Sequence, residues 1–168
     1  MKKENNMEKT FLDSFEAHND AIFRFCYFKT SDREKALDIT QDTFTKTWEY
    51  IANGKKIDNI KAFLYRVANN LVIDSYRRKK MDSLDQMRED GYDNATDEHE
   101  KTMTAIEGDE IMKYLDKLDE PYKEIITLRY IHDLSIDEIV EITGESGNTI
   151  SVRLHRALGK LKKEVKSN

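Results

Sequence analysis

One cysteine, one proline, one tryptophan and no long apolar run limit what this 168-residue chain can be. A lone Cys26 excludes an internal disulfide and any zinc site built from several cysteines. Placed among Phe23, Phe25, Tyr27 and Phe28, it reads as a buried and inert thiol. No segment approaches the length of a membrane span, and Met1-Lys2-Lys3-Glu4-Asn5-Asn6 lacks the apolar core of a signal peptide. The expectation is a cytoplasmic chain with no membrane insertion. A phosphate loop, a nucleophile elbow and a metal-ligand cluster are also missing, and His18, His99, His132 and His155 are scattered. No catalytic residue, metal or cofactor is expected, and the chain does not read as an enzyme. Neither a strand pattern nor a solenoid-type repeat appears.

What is abundant is charge, at 36% of residues, and its distribution matters more than the net of −5. Residues 1–80 carry 16 Lys and Arg against 12 Asp and Glu. Residues 81–110 carry 2 against 11, and from Ser146 onward six cations face one acid. Two basic regions are thus separated by an acidic one. Screening limits the reach of charge to ~8 Å at physiological salt, so local charge governs contact with phosphates.

Helical periodicity runs through the rest. A first helix is predicted over 8–29, with Phe11, Phe15, Ile22, Phe25 and Cys26 inward. Ser31 and Glu34 form a capping box that opens a second helix running to about Ala52, with Ala36, Leu37, Ile39, Phe44, Trp48 and Ile51 buried. Residues 53–59 are rich in turn formers, and a third helix follows over 60–81 with Ile60, Phe63, Leu64, Val67, Ala68 and Leu71 as its stripe. Residues 82–107 are acidic and poor in large apolar side chains, which predicts a flexible linker. Four more helices are expected at about 109–117, 121–132, 135–143 and 147–166, with Pro121 at a helix start. The fold class is therefore all-α: two small helical domains, 1–81 and 108–168, joined by an acidic flexible linker over 82–107.

The segment 134–161 is the most telling. Ser135 and Glu138 form a capping box, and Ile136, Ile139, Val140 and Thr143 give the helix an apolar face. Gly144 allows the left-handed conformation that ends it, and Ser146 caps the next helix. In that helix Ile150, Leu154, Ala157, Leu158 and Leu161 point inward, leaving Asn148, Thr149, Ser151, Val152, Arg153, His155 and Arg156 near or on the other face. This is the layout of a helix-turn-helix whose second helix enters a major groove. An ordinary helical hairpin with a solvated basic face explains the caps and the period equally well. It explains less well the small polar and cationic groups in the first turns, where Arg and Asn make bidentate base contacts.

Two further blocks are specific: Asp32 to Trp48, holding Asp38, Gln41, Asp42 and Phe44, and Ala62 to Arg78, holding Tyr65, Arg66 and Asn69. With the helix-turn-helix they resemble, over nearly the whole chain, bacterial RNA polymerase sigma factors of the extracytoplasmic-function class, in the sigma-70 family. The resemblance implies a region-two domain, a linker and a region-four domain, and the function of directing core RNA polymerase to promoter DNA. It implies that Asp38, Gln41 and Asp42 face the clamp helices of the largest polymerase subunit, with Phe44 and Trp48 matching the core; carboxylates on a helix suit a cationic groove. Alone, they would read as an exposed acidic edge.

The resemblance places minus-ten recognition on residues 53–59 and the third helix. Lys55, Lys56, Lys61, Arg66, Arg77 and Arg78 are the phosphate candidates there. Tyr65 and Asn69 are expected to meet exposed bases, and Asn53, Asp58 and Asn59 to form a loop pocket. Single-strand capture needs a cationic track with stacking or hydrogen-bonding groups. Tyr76 and the run from Arg77 to Lys80 read equally as a solvated helix end.

For the minus-thirty-five element the implied readers are Asn148, Thr149, Ser151, Arg153, His155 and Arg156, with Arg153 or Arg156 alternatively holding the domain together. Segment 118–130 resembles the start of region four, which implies a grip on the flap of the second-largest polymerase subunit. The class also implies an anti-sigma factor as a partner. The linker resembles those that thread near the polymerase cleft, and an acidic tether equally keeps DNA-binding domains off nonspecific DNA. Glu145 replaces a branched apolar residue and Thr143 a leucine, which predicts a looser turn between the two helices. Competing readings are a regulator that uses the helix-turn-helix alone and an adaptor that has lost promoter melting; the block at 32–48 argues against the first, and the intact segment 53–80 against the second.

Overall fold

A computed structural model describes residues 2–89 and 110–167, and these form two separate compact units. Among the described residues there is no strand, and no helix is long and apolar enough to cross a membrane.

The first unit is three mutually packed helices: α1 (Lys2–Thr30), α2 (Arg33–Ala52) and α3 (Ile60–Glu89). The cap between α1 and α2 differs from expectation by one residue. Ser31 adopts a left-handed φ of 53°, and Asp32 is the N-cap, its carboxylate accepting from the Lys35 N–H at 3.0 Å. A carboxylate there also complements the positive end of the helix dipole, which favours Asp32 over Ser31.

Ile22, Phe25, Cys26, Ala36, Ile39, Phe44, Ala62, Leu64, Tyr65, Ala68 and Val72 fill the core. On α2 the buried face also holds Thr40, Thr43 and Thr47, whose hydroxyls donate to the carbonyls of Ala36, Ile39 and Thr43 at 2.7 Å each. A threonine that satisfies its own hydroxyl within the helix packs as a small branched apolar residue. That stripe turns Leu37 and Trp48, both expected inside, to the outer edge, where each is 38% exposed. Phe15 is likewise part exposed but keeps an edge-to-face contact with Phe44 at 4.8 Å. Burial pushes the Cys26 thiol up to about 11, against smaller opposing effects of a hydrogen bond with Thr40 and the charge of Lys29. The thiolate is therefore suppressed at neutral pH.

After α2, Asn53 and Gly54 turn the chain, Gly54 at φ +76°. Asn59 then caps α3, its Oδ1 accepting from the Ala62 N–H at 3.0 Å. α3 continues to Glu89, past the expected end at Met81 and into the segment read as linker. Residues 82–89 contain good helix formers and no glycine or proline, so helix propagation prevails over their acidity. The remainder of that segment, 90–107, lies outside the described residues.

The second unit comprises α4 (Glu110–Leu115), α5 (Glu120–Ile126), α6 (Ile136–Thr143) and α7 (Gly147–Lys166). α5 runs on as a wider π-helical turn over Thr127–Ile131, closed by the His132 N–H on the Thr127 carbonyl at 3.0 Å. The chain reverses through Asp133 (φ 51°), and the Arg129 guanidinium donates to the Leu134 carbonyl at 3.3 Å. Leu115, Ile125, Leu128, Leu134, Ile139, Ile142, Ile150, Leu154 and Ala157 form the core. Leu158, expected inside, is part exposed, and Ile142 takes a core place that the expected face of α6 omitted.

Candidate nucleic-acid and polymerase interfaces

The helix-turn-helix is set by local chemistry. Ser135 Oγ accepts from the Glu138 N–H at 3.1 Å, and Glu138 Oε2 accepts from the Ser135 N–H at 2.8 Å, which completes the expected capping box. Ser135→Ala is expected to cost the second unit about 1 kcal/mol. A lower denaturation midpoint with an unchanged slope is the expected observation. Gly144 sits at φ +74°, and its N–H reaches the Val140 carbonyl at 2.8 Å. Ser146 then caps α7, accepting from the Thr149 N–H at 3.2 Å.

On α7, Asn148, Thr149, Ser151, His155 and Arg156 are exposed, and Arg153 is half-buried. Asn148, Thr149, Arg153 and Arg156 line one groove with Val152, and Asp119, Pro121 and Tyr122 at the start of α5 close its other side. Ser151 and His155, one turn apart, lie outside that groove. The six candidate residues of α7 therefore form two strips of one helix rather than one cluster. The sequence places Val152 near this face without a role, and does not place Asp119, Pro121 or Tyr122 in the groove. Val152 carries a usable signal, since an apolar side chain on a reading helix suits a thymine methyl. Tyr122 does not, because only the packing of α5 on α7 brings it there; Lys160 links the two, 5.0 Å above the Tyr122 ring and 4.0 Å from the Asp119 carboxylate.

The turn is tied rather than loosened. Thr143 Oγ1 donates to the Ile139 carbonyl at 2.9 Å and accepts from the Glu145 N–H at 3.2 Å. Glu145 in turn grips Arg153, Nη2 to Oε1 at 3.1 Å and Nη1 to Oε2 at 2.6 Å. The polar replacements expected to free the angle act as fasteners, and Arg153 has a structural partner.

In the first unit the loop residues Asn53, Lys55, Lys56, Asp58 and Asn59 are exposed. Lys55 Nζ lies 5.0 Å from the Tyr50 ring centroid, and Arg66 lies over the Phe63 ring at 5.2 Å. Lys61 is half-buried, and every described side chain from Tyr76 to Gln86, including Arg77 and Arg78, is exposed. Tyr76 donates its hydroxyl to the Lys29 carbonyl, which fastens the last packed turn of α3 to α1.

Two expected base contacts are corrected. Tyr65 is 1% exposed, its ring edge-on to Phe25 at 5.2 Å, so no base can stack on it. Asn69 is 6% exposed, and its Oδ1 accepts from Lys29 Nζ at 2.7 Å. Both sit on the side of α3 that packs into the bundle, where tertiary contact overrides the base-contact role that the family resemblance implied for them. On α2, Asp38, Gln41 and Asp42 are all exposed, at i, i+3 and i+4, beside the part-exposed Leu37.

One unit holds a helix-turn-helix with a polar and cationic outer face and the other is a helical bundle with a basic loop, an architecture that suits a DNA-binding protein of transcription. Residues 14–81 match the family model for sigma-70 region 2, and residues 108–161 that for sigma-70 region 4. The RNA polymerase sigma factor SigV of Bacillus subtilis is 30% identical over 159 residues, spanning 94% of this chain and 92% of that one. The ECF RNA polymerase sigma factor SigW of the same organism is 28% identical, spanning 95% and 90%. Among solved structures, the sigma factor RpoE from Bartonella quintana, in complex with the anti-sigma factor NepR, has the same fold. Its TM-score is 0.67 at 24% identity, with 94% of this chain and 98% of that chain covered. The chain belongs to the sigma-70 family of RNA polymerase sigma factors, in the extracytoplasmic-function class. It is a transcription initiation factor that binds core RNA polymerase and directs it to promoters.

Proposed function

We propose that the two units divide promoter recognition between them, with α7 reading duplex DNA at the minus-thirty-five element and the 53–59 loop with α3 holding the opened minus-ten strand. The single observation that carries this is the groove on α7, where Asn148, Thr149, Val152, Arg153 and Arg156 lie together on the helix that follows a fully capped turn. Ser151 and His155, on the adjacent strip, suit flanking phosphates or bases. A bidentate base contact from Asn148 or Arg156 is worth ~1–3 kcal/mol of discrimination.

In the first unit, Lys55, Lys56, Lys61, Arg66, Arg77 and Arg78 form the cationic track. Asn53, Asp58 and Asn59 shape the pocket, Asn59 also fixing the loop to the start of α3. Asp38, Gln41 and Asp42 face the polymerase clamp. The region-two domain spans 1–81 and the region-four domain 108–168, with 82–107 connecting them and its first residues prolonging α3. The protein acts in the cytoplasm, where the polymerase is. An anti-sigma factor is its expected partner; the sigma factor RpoE, of the same fold, is solved in complex with the anti-sigma factor NepR.

Polymerase supplies the scaffold that brings two weak DNA contacts to one span, so neither unit binds promoter tightly alone. Lys55→Glu with Lys56→Glu is expected to leave duplex attachment intact and to remove strand opening by tenfold or more, on the order of 1.4 kcal/mol. Permanganate reactivity of promoter thymines in the polymerase complex reads this. Undiminished reactivity would take the loop out of strand capture.

A further inference from the structure

The pair formed by Glu145 and Arg153 has a consequence for DNA reading beyond holding the turn. Glu145 follows Gly144 directly, and its backbone is fixed by the Thr143 hydroxyl. Its carboxylate meets both η nitrogens of Arg153, at 3.1 Å and 2.6 Å, with the two side chains 37% and 28% exposed. Oε2 is closed off from solvent and accepts no hydrogen bond, so Nη1 meets it as a close ion-pair contact while Nη2 donates the hydrogen bond to Oε1. A pair sheltered in this way is screened less than a surface ion pair.

A guanidinium engaged through both η nitrogens no longer offers its end-on fork to guanine O6 and N7 or to a phosphate, and only its Nε–Nη side edge can still pair bidentately. What Glu145 leaves unengaged are the Nε edge and the other η protons. Arg153 lines the same groove as Asn148, Thr149, Val152 and Arg156. An acid from the turn therefore neutralises one cation of the reading surface and fixes which edge it shows.

We infer that Glu145 is a positioning residue for promoter recognition, which withholds the forked end of Arg153 from DNA phosphates and so trades nonspecific attraction for a fixed reading geometry. The inference rests on α7 being the DNA-reading helix. Arg153 paired with Glu145 contributes no net charge to counterion release, whereas an unpaired Arg153 neutralises a phosphate and steepens the dependence of log K on log salt by ~0.9. Removing the carboxylate also removes an anion from a surface that approaches phosphates.

The test uses the full chain and a random-sequence DNA duplex, with affinity measured across a salt series. Glu145→Gln keeps the shape and loses the charge, and Glu145→Leu fills the turn with an apolar side chain, so one of them serves if the other fails to fold. Either is expected to bind several-fold more tightly at low salt, with the slope steeper by ~0.9. The gain disappears when Arg153→Ala is added. Holoenzyme carrying Glu145→Gln is also expected to select genomic fragments with a relaxed preference at one base position of the upstream element. Arg156→Ala is the reference for α7 itself. If Arg156→Ala weakens duplex binding and the Glu145 variants change neither affinity nor slope, the inference is overturned while α7 remains the reading helix. If Arg156→Ala and Arg153→Ala both bind as the parent does, α7 is not the DNA surface and both fall.

Discussion

Asp38→Lys with Asp42→Lys is expected to abolish association with core RNA polymerase. The two carboxylates stand one turn apart on the outer strip of α2, with Gln41 beside them, so two reversals place four units of charge change on one exposed strip. Like charges brought together at an interface cost several kcal/mol, and each ~1.4 kcal/mol weakens a complex tenfold, so the loss runs to several orders of magnitude. The fold is spared, because the opposite strip of α2, with Thr40, Thr43 and Thr47, is what packs on its neighbours. Trp48, 38% exposed and 5.2 Å from the Phe11 ring, sits between core and surface and stays in place. The measurement is a titration of labelled chain with core polymerase, alongside a thermal scan. Unaltered polymerase affinity in a folded double variant would remove this strip from the interface.

Tyr65→Ala is expected to be severe for a different reason. The ring is enclosed and packed edge-on against Phe25, so truncation leaves a large cavity in a three-helix unit. Loss of a buried aromatic ring costs about 3–5 kcal/mol, against a total of ~5–15 kcal/mol for an ordinary domain. Tyr65→Phe retains the ring and is expected to keep most of the stability, together with strand opening in the polymerase complex. A base-stacking role predicts another pattern, in which Tyr65→Ala leaves the unfolding transition of the first unit unchanged and lowers only promoter opening. Chemical denaturation of the full chain, followed through both transitions, separates the two. An unshifted first transition in Tyr65→Ala would return this residue to the DNA surface.

Much of the architecture is legible in the residues because its signals are local. Ser135 with Glu138, Gly144 and Ser146 mark the turn of the helix-turn-helix, and each performs in the structure the role its type and spacing predict. The Asn53-Gly54 turn is local chemistry of the same kind. The failures share one cause, which is that a side chain's direction depends on what packs against it. Thr40, Thr43 and Thr47 look polar in a sequence, yet a threonine bonded to its own helix is an acceptable core residue, and this moved Leu37 and Trp48 outward. Tyr65 and Asn69 look like base readers and face the bundle instead, Asn69 held by a lysine from another helix. Acidity marked residues 82–89 as linker, although helix propagation depends on propensity more than on net charge. The Glu145–Arg153 clasp spans two elements, and sequence alone offered only an unusual residue at the turn.

Selective initiation is the property that joins polymerase binding, duplex reading and strand capture, and in vitro transcription with purified chain, bacterial core polymerase and a genomic DNA library measures it directly. Tight association with the core and transcripts from a discrete set of start sites sharing upstream and downstream elements are the expected result. Specific duplex binding by the chain alone, with no association with a well-matched core polymerase and no chain-dependent transcripts, would contradict it.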